Sequence, residues 1–147
     1  MVNNWDKKYM AMAEHVAEWS KDPSTKIGAV AVNDKGQVLS TGYNGFPRGI
    51  EDSNERLSDR PTKYKYIVHA EMNAIFNATY NGVSLDNSTM YVAGLPCCSN
   101  CALGIIQVGV KHVVMQGDPE NERWKESTDF SVKLFDEAGV TWEFIDE

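Results

Sequence analysis

Two short stretches carry residue types that can do chemistry together: His69-Ala70-Glu71, and Pro96-Cys97-Cys98-Ser99-Asn100-Cys101. One imidazole and two thiolates supply three ligands of a tetrahedral metal site and leave the fourth position for water, the arrangement of a catalytic rather than a structural zinc. A carboxylate two residues after the imidazole, Glu71, is then placed to carry protons between that water and a bound substrate. Cys98 and Cys101 are separated by two residues, the usual spacing of a ligand pair. Cys97 leaves three intervening residues and should point off the first turn, so Cys98 is the expected ligand and Cys97 the alternative. His15 and His112 have no comparable carboxylate motif nearby and read as structural.

These ligands need helix starts to hold them. Asn4 to Trp19 places Trp5, Tyr9, Met12, Ala13, Val16 and Ala17 at helical spacing, and Trp5, Tyr9, Phe130 and Phe135 read as packing residues. Ile27 to Asn33 and Val38 to Tyr43 form a hairpin across Asp34-Lys35-Gly36-Gln37, and Asn44 to Lys65 has the Gly and Pro content of a long loop. A second helix runs from Ile67 to Tyr80, Thr89 to Ala93 is a strand, and Ser99 to Val108 is a third helix. Val110 to Gln116 is a fourth strand, Glu126 to Ala138 a fourth helix stopped by Gly139, and Val140 to Ile145 a fifth strand. A helix between the last two strands implies parallel pairing. The expected class is α/β, a five-stranded mixed sheet with helices on both faces, in a single domain over residues 1–147. Metal ligands at two helix starts would face the positive ends of the helix dipoles, which favours thiolate.

Composition removes several function classes. A net charge of −7 argues against long nucleic acid, because polyanion binding requires clustered Lys and Arg, whereas a small nucleotide needs only a local basic pocket. No apolar run approaches the ~20 residues needed to span a bilayer, and no leader pattern is visible, so a soluble, cytoplasmic protein is expected. All three cysteines fall between positions 97 and 101, which leaves no distant partner for a disulfide framework and favours metal binding or redox chemistry.

His-x-Glu with a Cys-x-x-Cys pair is the pattern of the zinc nucleobase deaminases. With Ser20 to Lys26, Gly42 to Gly49, Lys63-Tyr64, His69 to Ile75 and Ile105-Ile106-Gln107, the chain resembles the deoxycytidylate deaminase family of the cytidine deaminase superfamily over nearly its whole length. The resemblance implies a five-stranded mixed sheet, a catalytic Zn2+ held by His69, Cys98 and Cys101, and dCMP hydrolysed to dUMP with Glu71 as the proton carrier. It also implies a homo-oligomer, commonly a hexamer, activated by dCTP and inhibited by dTTP with Mg2+. Asn44 matches the asparagine that contacts sugar and base, and Ala70 the position whose backbone faces the base. Arg48 and Gly49, with backbone N–H groups near Gly45, lie where an effector nucleotide binds. Ser24 and Lys26 offer donors to a substrate phosphate, or merely shape a turn and carry a solvated charge. Arg123-Trp124-Lys125 either closes over substrate or is an exposed loop. No cysteine is left over for a second, structural zinc. Rival readings are a nucleoside or tRNA deaminase, a noncatalytic zinc-binding assembly module, and a dithiol redox protein; Glu71 is superfluous to the last two.

Overall fold

The hairpin is realised in the computed structural model, which describes residues 2–145. Strand β1 (Gly28–Val32) pairs antiparallel with β2 (Val38–Tyr43), and β3 (Thr89–Ala93) lies antiparallel on its other side. β4 (His112–Gln116) and β5 (Thr141–Ile145) extend the sheet in parallel, giving the order β2-β1-β3-β4-β5. Parallel pairing thus covers β3–β4 as well as the expected β4–β5, since a helix links each pair. Gly28 stands opposite both Tyr43 and Ala93, so the start of β1 and the ends of β2 and β3 meet at one edge of the sheet.

The helices are α1 (Asn4–Ala17), α2 (Asn54–Ser58), α3 (Arg60–Tyr66), α4 (Ala70–Tyr80), α5 (Ser99–Gln107) and α6 (Lys125–Ala138). Alternation along the strands divides the core between them. Val30, Val32, Tyr91, Ala93 and Val114 face Met10, Ala13 and Val16 of α1. On the other face Ala29, Ala31, Met90, Val92, Val113 and Met115 pack with Ala74, Ile75, Ala102, Ile105 and Phe135 of α4, α5 and α6.

The buried stripe of α1 is Asp6, Met10, Ala13, Val16 and Ala17, one step round from the expected face, and Trp5, Met12 and Phe130 are exposed. The reason is local: Asn3 and Asp6 form a reciprocal capping box, and Asp6 also accepts a 2.7 Å hydrogen bond from the buried Tyr91 hydroxyl, which turns its side of the helix inward. The stretch expected to be a loop holds α2 and α3. Ser53 caps α2 by accepting from the Arg56 N–H, Leu57 buries its inner side, and Pro61 sits in the first turn of α3.

Two glycines set how closely the helices approach. A Cβ at Gly28 would lie 2.0 Å from the Ala13 carbonyl oxygen of α1, and one at Gly42 would lie 2.3 Å from the Ala74 nitrogen and 2.4 Å from the Ala70 oxygen of α4. Backbone contact this close lets Ser40 donate to the Ala74 carbonyl (2.6 Å) and Asn77 to that of Thr41 (2.8 Å), locking α4 to β2. Gly42→Ala should therefore displace α4, destabilising the fold by about 2 kcal/mol or more and lowering the melting temperature by roughly 4–8 °C. A calorimetric scan that leaves the transition in place would refute this backbone contact.

Candidate active site

His69 is the N-cap of α4 and Cys98 that of α5, both in extended backbone, so each presents its side chain beside the free N–H groups of a first turn. The helix expected from Ile67 starts instead at Ala70, because Val68 is drawn into an antiparallel bridge with Gly45. His69 Nδ1 lies 3.3 Å from Cys98 Sγ and 3.3 Å from Cys101 Sγ, and the three donor atoms fall within 4.8 Å of one another. Standard zinc bond lengths place nitrogen and sulfur about 3.5 Å apart across a tetrahedral ion, so this set fits the metal and leaves its fourth position open. The Cys101 N–H points at Cys98 Sγ (3.4 Å). A hydrogen bond from the Cys101 thiol, with one from His69, holds Cys98 down at about 4 against the effect of burial. That shared proton keeps Cys101 above the ordinary thiol range, and the contact with Cys98 raises His69.

Glu71 occupies the first turn of α4 and is 4% exposed. Burial pushes its carboxyl up to about 7, opposed in part by its own backbone N–H. Cys97 is wholly buried and stands outside the donor set; burial, then the negative charge of Glu71, pushes the thiol well above its ordinary range. Helix α6 pins this loop: Ser131 donates to the Cys97 carbonyl (2.8 Å) and Ser127 accepts from the Ser99 N–H (2.9 Å).

These groups open onto a cavity of about 310 Å³. Asn44, Ala70, Glu71, His69 and Cys98 line it, as does Trp124 at the start of α6. Thr25 and Ile27 line it too, whereas Ser24 and Lys26 are exposed and outside the lining. Asn44 is held firmly: its amide oxygen accepts from the Ile27 N–H (2.9 Å), and its amide nitrogen donates to the Thr25 carbonyl (2.9 Å) and to Asp22 (3.4 Å). Arg60, Lys63 and Tyr64 of α3 and Asp22 complete the wall, and sequence reasoning missed these as cavity residues. Lys63 and Asp22 form an almost fully buried ion pair at 3.1 Å. Arg48 lies flat on α4, bonding Asn77 (2.8 Å) and stacking on Tyr80, and Gly49 is exposed. Gly45 borders a second hollow of about 120 Å³ with Trp19, Lys21, Phe46 and Asp52. Arg123 is exposed against the Trp124 ring, and Lys125 pairs with Glu120 and Asp129.

The sequence model of the cytidine and deoxycytidylate deaminase zinc-binding region matches residues 3–116, which include all three donors and Glu71. The chain belongs to this family. It is 40% identical over 146 residues to an uncharacterized deaminase of Aliivibrio fischeri, covering 97% of this chain and 95% of that one. It is also 40% identical to the deoxycytidylate deaminase of Mus musculus, across 94% of this chain and 78% of the mouse protein. The dCMP deaminase of cyanophage S-TIM5, solved with dCMP and dUMP, superposes with a TM-score of 0.80 at 28% identity and 99% coverage of both chains.

The matched zinc-binding region spans these residues, and the donor atoms that lie within 4.8 Å of one another include Cys98 and not Cys97. Purified protein should carry one zinc per chain; Cys98→Ala and Cys101→Ala should each lose most of it, and Cys97→Ala should keep it. Elemental analysis decides: full zinc in Cys98→Ala with loss in Cys97→Ala would reverse the assignment.

Proposed function

We propose that this deaminase converts dCMP and water to dUMP and ammonia. The observation that carries the reading is a buried carboxyl, Glu71, in the wall of the same cavity as His69 and Cys98, two members of a three-donor set that could hold a metal. The likeness to the mouse enzyme, and to a cyanophage enzyme that holds dCMP and dUMP in its solved structure, supports the substrate.

His69, Cys98 and Cys101 would hold zinc, which supplies Lewis acidity that makes a nucleophile of water near neutral pH. Glu71 accepts a proton from the attacking water and delivers it to N3 of the cytosine ring as oxygen bonds to C4. The second water proton follows to the exocyclic amine, the C4–N bond breaks, and ammonia leaves a carbonyl at C4. Burial raises this carboxyl, which favours its holding the proton between the two transfers. Ala70 offers the wall beside the base, and Asn44, its amide already fixed by Ile27 and Thr25, offers its remaining acceptor capacity to base and sugar. A noncatalytic zinc module would leave Glu71 buried without a use, which costs stability.

Regulation is part of the proposal. The chain is read as a homo-oligomer, a hexamer, that dCTP activates and dTTP inhibits, each with Mg2+, at the loop holding Gly45, Arg48 and Gly49. The resemblance through Gly42 to Gly49 supports this, as does the hollow beside Gly45. A ligand shifts such an equilibrium only by binding two states unequally, so the two triphosphates must favour opposite states.

Glu71→Gln should keep zinc and fold yet lose turnover by at least about a hundredfold; a kcat within tenfold of the parent would remove Glu71 from the proton path. At subsaturating dCMP, dCTP should raise initial rates and dTTP lower them, each several-fold. Rates that respond to neither, with magnesium present, would end the regulatory reading and leave the catalytic one intact.

A further inference from the structure

The α3 wall differs in chemistry from the rest of the cavity. Around Glu71 the lining is Ala70, Leu95, Pro96 and Cys97, whereas α3 contributes Arg60, Lys63 and Tyr64. The two cations are not equivalent. Lys63 is buried and neutralised by Asp22 at 3.1 Å. Arg60 is exposed, and among the described lining residues it is the guanidinium or ammonium that no carboxylate pairs. One of its N–H groups donates to the Tyr64 hydroxyl at 3.1 Å, a contact between residues one helical turn apart. The bond orients the guanidinium fork with Tyr64 as the acceptor and leaves the remaining Arg60 N–H groups as donors. Across the cavity Thr25 adds a hydroxyl, and the Lys63–Asp22 pair ties α3 to the segment that carries it.

Resting on the nucleotide reading above, we propose that Arg60, oriented by Tyr64, is the specificity determinant that recognises the substrate's 5′-phosphate, so that a pyrimidine nucleoside monophosphate is preferred to the nucleoside. A planar fork matches a phosphate dianion through two parallel N–H···O bonds, and an exposed site leaves the other phosphate oxygens in water. The base takes the buried, apolar end beside Glu71 and the dianion takes the solvated, cationic end. Arg60 is a binding residue, and Tyr64 acts through it.

Steady-state kinetics on the zinc-loaded enzyme with dCMP and deoxycytidine tests this. Arg60→Ala should lower kcat/KM for dCMP on the order of a hundredfold, as expected for losing a charge-assisted bidentate contact. Deoxycytidine should lose no more than a few-fold, collapsing the preference. Arg60→Lys should fall between, because a point charge lacks the fork. Tyr64→Phe should weaken dCMP alone and mainly through KM, and dUMP binding by calorimetry should weaken in the same order while zinc content holds. An intact preference in Arg60→Ala, or equal losses on both substrates in Arg60→Ala and Arg60→Lys, overturns the assignment, as does a preference abolished by Lys26→Ala but not by Arg60→Ala. A parent enzyme that deaminates neither compound sinks the deaminase reading and this one with it; a parent that prefers dCMP together with an indifferent Arg60→Ala sinks only the second.

Discussion

Everything at the active end of the molecule depends on two helix starts meeting within a few ångströms. His69 and Cys98 are both N-caps, and their contact at 3.3 Å brings the first turns of α4 and α5 face to face. Two helix N-termini repel each other as dipoles, and thiolates between them relieve that repulsion while the N–H groups relieve the thiolates. The arrangement is worth most with a cation bound, since both sulfurs then remain unprotonated. The hydrogen bond between the two thiols acts the same way on the sulfur that accepts it, lowering Cys98 and raising Cys101. The sheet supplies the reach: α4 rests on β2 through Gly42, and α5 follows β3, whose end lies against the start of β1.

A second constraint holds the opposite wall. Burying Lys63 and Asp22 costs several kcal/mol of lost hydration per ion, recovered only through good geometry and further hydrogen bonds. Asp22 has these: its carboxylate accepts from the Ser24 and Thr25 N–H groups, and Asn44 donates to it. The pair welds a short helix that could not stand alone to the segment before β1 and to the residue after β2. An apolar contact could supply comparable stability, but not the same directional alignment of α3 across the cavity.

The contrast between the two walls explains what was legible in the sequence. His69, Glu71, Cys98 and Cys101 announce themselves because their chemistry is scarce and their spacing is local, and the strands and long helices follow from periodicity. Helices α2 and α3 carry no apolar period; Leu57 and the buried ammonium of Lys63 hold them, and that tertiary contact joins residues 41 apart in sequence. Arg60 carries no such signal either, and Tyr64 is legible only as part of a stretch that carries the family resemblance, not as a cavity residue. The segment named for Ser24 and Lys26 borders the cavity through Thr25 and Ile27, while Ser24, in the bend after Asp22, and Lys26 are exposed, a division that depends on tertiary placement and not on residue type. The register of α1 slipped one step because Asp6, a charged residue, is buried by its bond to Tyr91, which no hydrophobicity pattern anticipates.

An acidic chain that handles an anionic nucleotide needs its attraction to be local. At a net charge of −7 the distant field opposes a phosphate, but screening confines that field to about 8–10 Å at ordinary ionic strength. Within that range the balance at the cavity is set by its own lining. Lys63 and Asp22 cancel, Glu71 lies buried at the apolar end, and Arg60 stands at the exposed wall. The same cancellation gives the pocket its direction. Had Lys63 been left unpaired and buried, a phosphate would be drawn inward past the wall and the base turned away from the proton carrier. Because Asp22 neutralises it, the strongest anion-binding group lies at the surface, and a nucleotide bound there by its phosphate has its base, not its charge, left to enter the buried end.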